Sequence, residues 1–317
     1  MDIKHLAVYL FSLVILSTNG ICANFVVGLS SGQLVFVRMV IGSIVLFLAM
    51  KISRQRFTFW SHRRSLTFQV LAGISNGFNY LFMFEAYRLV GVSMTTIIMY
   101  MAPAIILVLS PLIFKERLTV IKIIGFTIVL FGFLLLNQSG STLQSSEKGM
   151  LYAGIACICY TLVIILNKFA SELPGLEKSF LQILISAVVV LLYLVLTADL
   201  NFDIQRTDVM PTLYLGVVAA GLGSFFYYSS LPQLSAQTIS TFSYMQPVST
   251  LVLSFLVLHE RLAANQWIGA LLIVGGVLFA EIFHIRKSAV TDKSVWEFSG
   301  AKKNYGKEKQ DNHGQQD

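Results

Sequence analysis

Residues 100–118 read YMAPAIILVLSPLIFKERL, and residues 244–262 read YMQPVSTLVLSFLVLHERL. Eleven of these nineteen positions are identical at one gapless offset of 144 residues. Outside the block the same offset pairs Phe25 with Phe169, Phe36 with Phe180, Ile41 with Ile185, Phe82 with Phe226, Gly125 with Gly269 and Gly132 with Gly276. Leu/Val-rich helices resemble one another by chance, but shared Pro, Tyr, Glu-Arg and paired Gly at a single offset do not arise that way. The chain is therefore an internal duplication, and that repeat decides how every other motif is read.

Composition says what the repeat is made of. The 317 residues are 56% apolar and only 12% charged, with a mean hydropathy of +0.73. Soluble domains carry about 25% charged residues, so one or two soluble domains are excluded and the solvent is largely lipid. Cys22, Cys157 and Cys159 fall in apolar runs with no metal or redox spacing and read as structural; no cofactor and no metal is expected. The formal charge of +7 does not mark a nucleic-acid binder, because the basic residues are scattered over short loops and the tail. The N-terminus is not read as a cleaved signal. The chain stays uncharged from Leu6 to Val37, and the triplet Ile21-Cys22-Ala23 has a bulky first residue, so the first helix is expected to be retained.

About twenty apolar residues cross a bilayer core, so uncharged runs longer than about thirty hold two helices. Leu6–Val37 divides at Gly28-Leu29-Ser30-Ser31-Gly32, and the run 209–258 divides at Ser229-Ser230-Leu231-Pro232-Gln233. The remaining runs give spans one to ten at 6–27, 33–50, 66–87, 92–114, 118–136, 149–167, 179–198, 209–229, 236–258 and 262–283. Cytoplasmic loops carry the excess of Lys and Arg. With the N-terminus inside, the inner segments hold eighteen and the outer loops four, namely Arg88, Lys148, Arg206 and Arg261. Seven of the eighteen lie in the tail, from Arg286 to Lys309, and without them the split is still eleven to four.

Five helices per repeat is an odd number, so the second copy enters the membrane in the opposite sense. The expected fold is all-α: a polytopic protein of the cell (plasma or bacterial inner) membrane with ten transmembrane helices in two inverted five-helix repeats. The repeats occupy 1–137 and 149–284, a disordered tail occupies 285–317, and both termini are cytoplasmic. Inverted repeats are characteristic of alternating-access carriers with a site near the midplane.

These residues resemble the EamA branch of the drug/metabolite transporter superfamily. The resemblance rests on a fourth helix with a central proline, a short Glu-Arg turn and a Gly-containing fifth helix. That pattern runs here from Tyr100-Met101-Ala102-Pro103 through Glu116-Arg117-Leu118 and returns in the second half. Phe36-Val37-Arg38 is similar to the family's aromatic-x-Arg entry to the second helix. The likeness covers roughly residues 6–283 and implies a secondary transporter. It does not imply a substrate, since members carry amino acids, aromatic compounds, drugs or nucleotide sugars.

Candidate binding residues follow from the repeat. Pro103 and Pro247 lie within spans four and nine, where each removes a backbone hydrogen bond and leaves the carbonyl oxygens of Met99 and Ser243 short of partners. They read either as a kinked pair lining a central cavity or as packing kinks. Tyr100, Tyr244 and Gln246 offer polar groups beside them, although a tyrosine can equally bond a neighbouring helix. Arg38, whose repeat mate is Gln182, is the one basic residue well within a span. It is placed either to pair with a substrate carboxylate or phosphate or to snorkel to the interface. Asn79 and Tyr80, with Asn19, Asn24, Asn76, Ser224, Tyr227 and Tyr228, could complete the cavity. Lys168 reads as an interfacial anchor. Gly125/Gly132 and Gly269/Gly276 present one helix face each for close packing of spans five and ten or for a homodimer contact.

No Gly-rich phosphate loop, HExxH, nucleophile elbow or paired intramembrane carboxylate occurs in the chain, so an enzyme is not expected. The expected partners are a small-molecule substrate and the lipid bilayer. The favoured function is export of an amino acid or an amphipathic or aromatic metabolite by alternating access. The alternative is a non-transporting sensor or scaffold acting through the tail.

Overall fold

The structure, a computed structural model, describes residues 3–23, 25–137, 146–258, 264–265 and 267–280. Asn24, the Glu260-Arg261 turn and the tail at 285–317 lie outside the described residues. The regular structure described is helical: α1 (Ile3–Ala23), α2 (Ser31–Ile52), α3 (Arg63–Met99), α4 (Met101–Phe114), α5 (Val120–Asn137), α6 (Glu147–Phe169), α7 (Gly175–Leu196), α8 (Val209–Gln233), α9 (Ala236–Ser243), α10 (Met245–Leu258) and α11 (Trp267–Ala280). Helices α1, α2, α6, α7 and α8 are each long and apolar enough to cross a bilayer, and α4, α5 and α11 are apolar but shorter.

The 37 residues of α3 contain span three and the first turns of span four. Asn79 Nδ2 lies 3.9 Å from Met99 Sδ, twenty residues along the chain. A straight helix would set those positions about 30 Å apart. The backbone therefore reverses within α3 while keeping helical hydrogen bonding, and spans three and four lie side by side.

Lipid tails provide no hydrophobic drive between helices, so close backbone approach through small residues is what holds them. Two such approaches repeat across the duplication. A Cβ on Gly77 of α3 would lie 2.6 Å from Val189 Cβ of α7, and one on Gly221 of α8 would lie 3.1 Å from Val45 Cγ1 of α2. Both members of each pair are 144 residues from their mates. One turn away, Ile185 seats on Gly73 and Ile41 on Gly216, one residue short of the offset. The slip coincides with a nine-residue π-helical stretch, Leu215–Gly223, in the middle of α8. A π-turn holds more residues per turn than an α-turn and so shifts the register.

The loops are tied in the same symmetric way at the two ends of the bundle. At the N-terminus of α2, Gln33 Nε2 donates to Asp199 Oδ1 at 2.7 Å and to Asn201 O at 3.1 Å. At the N-terminus of α7, its repeat mate Glu177 accepts from Thr58 N–H at 2.9 Å and Phe59 N–H at 2.8 Å. Helix α2 begins beside the end of α7, with Gly32 against Leu194, and ends beside its start, with Phe47 stacked on Phe180. The two helices are antiparallel, so Gln33 and Glu177 occupy opposite faces. The chain is thus two five-span halves of opposite sense.

Helices α5 and α11 use their glycines on each other. A Cβ on Gly276 would lie 2.8 Å from Gly125 O, and one on Gly132 2.7 Å from Gly269 O. That face is filled within the chain.

Candidate functional site

Spans four and nine are broken rather than kinked. Helix α3 ends and α4 begins around Tyr100 (φ −76°, ψ 3°), and α9 ends and α10 begins around Tyr244 (φ −70°, ψ −8°). Regular α-helix has ψ near −42°, so each tyrosine locally unwinds the backbone. The prolines explain the position of the break. Pro103 and Pro247 become the third residues of α4 and α10, in a first turn where a backbone N–H would have no partner anyway.

The first break is served by hydroxyl groups of the second repeat. The Tyr244 hydroxyl donates to Tyr100 O at 2.6 Å, and the Ser240 hydroxyl donates to Pro103 O. The Tyr244 ring packs on Tyr100, Phe126 and Phe133 with centroids 5.5–5.7 Å away, and it is fully buried. Ser243 donates to Ile239 O at 2.6 Å, and Tyr9 of α1 bonds the Ser243 hydroxyl at 2.9 Å. Pro111, a second proline in α4, cannot serve Leu107 O, and the Ser110 hydroxyl does so instead at 2.9 Å.

The Glu-Arg turn has a partner that the sequence did not disclose. Glu116, in the turn after α4, accepts from Ala236 N–H at 2.7 Å and Gln237 N–H at 3.1 Å, capping the N-terminus of α9 in the other repeat. Lys168 stands 3.5 Å from the same carboxylate, donates to Leu234 O at 2.7 Å and lies over the Phe114 ring. It is expected from sequence as an interfacial anchor, and it is instead part of this cap.

Arg38 is drawn inward. Helix α2 begins at Ser31, two residues earlier than expected, and Arg38 is 9% exposed. Its Nη1 donates to Asn19 Oδ1 at 3.4 Å, its guanidinium carbon lies 4.7 Å from the Tyr80 ring centroid, and its Nε is buried without a partner. Asn79, one residue before Tyr80, donates to Ala156 O at 2.9 Å, and Asn76 donates to the Ser186 hydroxyl at 2.9 Å. The Tyr227 hydroxyl bonds that of Tyr160 at 3.0 Å, and the Tyr227 ring packs on Tyr9 and Tyr228. Gln246 and Pro247 sit in the first turn of α10, where Gln246 O accepts from Thr250.

A family model described as the EamA-like transporter family matches residues 4–138 and, again, 147–281. The chain belongs to the EamA-like transporter family. It is similar to the "Uncharacterized transporter YxxF" of Bacillus subtilis (strain 168), 26% identical over 285 residues, covering 88% of this chain and 90% of the relative. It is similar to "Protein PecM" of Dickeya dadantii (strain 3937), 23% identical over 216 residues, covering 67% and 72%. A solved crystal structure, 17% identical, covers 88% of this chain and 99% of its own with a TM-score of 0.76, a likeness of fold. With the apolar spans, these matches make the protein a membrane protein with transporters for relatives.

Within this EamA-like fold the eight expected site residues fall into two groups. Tyr100, Pro103, Tyr244, Gln246 and Pro247 cluster at the paired breaks. Arg38, Asn79 and Tyr80 lie on the α2/α3 side. The link between them is a set of tyrosines that sequence reasoning only half found: Tyr9 and Tyr160 join Tyr80, Tyr100, Tyr227, Tyr228 and Tyr244 in and against one buried cluster. These seven of the chain's twelve tyrosines converge there, and the tyrosine content of apolar spans was the available signal. Lys178 was also missed. It counts as a loop lysine in the charge split, but it is 1% exposed, with Nζ donating to Asn167 O at 2.8 Å. Gln182, the mate of Arg38, is fully buried and bonded to Gln69 and Ala72 O.

Proposed function

We propose that this EamA-like protein is a secondary carrier that exports a small organic metabolite by alternating access between its repeats, with both termini cytoplasmic. The observation that carries this reading is the paired break at Tyr100 and Tyr244. Two helices related by the repeat are unwound where they face each other, and carbonyl groups at the first break are served by hydroxyl groups of the second repeat. Hydrogen bonds of that kind can be exchanged for substrate or for new protein partners as the repeats rock, without stranding backbone groups in lipid. Arg38, Asn79, Tyr80, Tyr100, Pro103, Tyr244, Gln246 and Pro247 are the proposed binding residues, and the Tyr100–Tyr244 contact is the barrier in this conformation.

The test is counterflow in proteoliposomes, using protein with Cys22, Cys157 and Cys159 replaced by serine and Tyr100→Cys and Tyr244→Cys introduced. Saturable exchange of labelled amino acids or aromatic acids is expected of the wild-type protein, and the exchange that the double-cysteine protein retains under reducing conditions is expected to stop on oxidation and to return on reduction. It is also expected to survive removal of the tail after Arg286. Exchange indifferent to the crosslink overturns the assignment of the barrier, and absence of exchange by the wild-type protein across the panel overturns the carrier.

A further inference from the structure

Two buried basic side chains, Arg38 and Lys178, have no carboxylate partner among the described residues, and both border one buried aromatic cluster. Arg38 is the eighth residue of α2, about 10 Å along the helix from its start. Asn19 takes Nη1, the terminal nitrogen away from the Nε–H. That leaves the edge formed by Nε and Nη2, with Nε buried and unbonded. This is the edge on which a guanidinium holds a carboxylate with two parallel hydrogen bonds. The Tyr80 ring stacks on the guanidinium.

Lys178 lies toward the opposite end of the bundle, in the fourth position of α7. It lines a cavity of about 290 Å³ together with Pro174, Gly175, Tyr228, Ser229 and Gln233. The two carboxylates nearest in sequence are engaged elsewhere: Glu177 by Thr58 and Phe59, and Glu172 by Ser65 and His62. Tyr228 connects the two sites, since it lines the Lys178 cavity and belongs to the buried cluster against which Tyr80, the ring over Arg38, packs. Lys168 on the same face shows what a structural cation looks like here, for it has Glu116. A charge buried at membrane depth without a counter-ion is costly and marks a ligand or ion pathway.

We propose that the substrate is a small organic carboxylate with a ring-bearing body, admitted past Lys178 and held at the Nε/Nη2 edge of Arg38 with its ring among the tyrosines. This rests on the carrier reading and names its substrate class. One free guanidinium edge suits a carboxylate; a phosphate monoester, with three oxygens, would leave acceptors unpaired in a site of this kind.

The experiment is binding, measured by thermal shift and calorimetry on the purified full chain, so that it is decided separately from transport. The probes are benzoate, phenylacetate and 3-phenylpropanoate, the matching amides and amines, and phenyl phosphate. At least one acid is expected to bind about tenfold or more tighter than its amide, its amine and phenyl phosphate. That preference is expected to vanish in Arg38→Met, and Lys178→Met is expected to slow exchange of the acid in counterflow. Unliganded Arg38→Met should unfold at or above the wild-type temperature, since an unpaired buried charge is removed. An amide or amine binding as well as its acid, preference for phenyl phosphate, or no acid-selective binding in the panel overturns the inference. If Arg38→Met does not fold, the wild-type comparison of acid with amide decides alone. Exchange of amines or neutral compounds with no acid selectivity would sink this inference and leave the carrier standing.

Discussion

The Tyr244 hydroxyl donates to the carbonyl oxygen of Tyr100, its own repeat mate 144 residues earlier, at 2.6 Å. The bond is not reciprocal: the rings lie tilted with centroids 5.7 Å apart, and one hydroxyl reaches across. Duplication therefore built a pseudo-symmetric interface whose central contact is asymmetric. Removing that hydroxyl leaves a buried carbonyl short of a partner, which costs about 1–3 kcal/mol. Tyr244→Phe is expected to lower the unfolding temperature, and Tyr100→Phe, whose backbone oxygen is unchanged, is expected to lower it less. Thermal unfolding followed by intrinsic fluorescence checks both.

Glu116 joins the repeats at one end of the bundle through two backbone N–H groups and Lys168. Glu116→Ala loses the cap of α9 and leaves Lys168 without its carboxylate, with an expected loss of about 1–3 kcal/mol. Adding Lys168→Met to Glu116→Ala is expected to restore part of that loss. A strictly additive double mutant in the same unfolding assay would contradict the coupling.

Asp208 supplies a pH dependence. Its carboxylate accepts from Val27 N–H at 3.0 Å, Gly28 N–H at 3.0 Å and Gln205 N–H at 3.2 Å. These bonds, that to Val27 foremost, hold its pKa below the usual carboxylate range against the opposing effect of burial. A group with a depressed folded pKa contributes stability above its unfolded pKa and loses it as pH falls through the folded one. The stability gap between wild type and Asp208→Asn is expected to be widest near neutrality and to close below about pH 4. Unfolding temperatures of both proteins across that range measure it. Gly28 belongs to the same contact, since a Cβ there would lie 2.1 Å from Asp203 O.

Gly275 and Gly276 are neighbours with opposite surroundings. A Cβ on Gly276 would meet Gly125 O and Val129 Cγ2 at 2.8 Å, whereas a Cβ on Gly275 meets nothing within 4 Å. Gly276→Leu should push α11 off α5 at a cost of about 1–3 kcal/mol or more. Gly275→Leu should be near neutral in the same thermal unfolding series.

Most of the frame was legible in the sequence because lipid imposes one rule on every span: about twenty apolar residues per crossing, and charge outside. The repeat then supplied the inversion, as Gln33 and Glu177 show by tying equivalent loops at opposite faces. The candidate site was only half legible. Pro103 and Pro247 announced a disturbance in spans four and nine, but whether a proline kinks a helix or starts a new one depends on what accepts and donates around it. That was decided by Ser240 and Tyr244, which are remote in sequence from the groups they serve.

The sequence by itself determined the span count, the duplication and the inverted sense of its halves, because period, composition and charge bias are properties of the chain measured against a bilayer. Only the tertiary structure decided which polar groups meet. Glu116 found the N-terminus of α9, Lys178 left the loop for the interior, and Arg38 turned toward Asn19 and Tyr80 with one edge unspent. Each of those outcomes depends on a partner more than a turn of helix away in sequence, and on distances of a few ångströms that no linear pattern encodes.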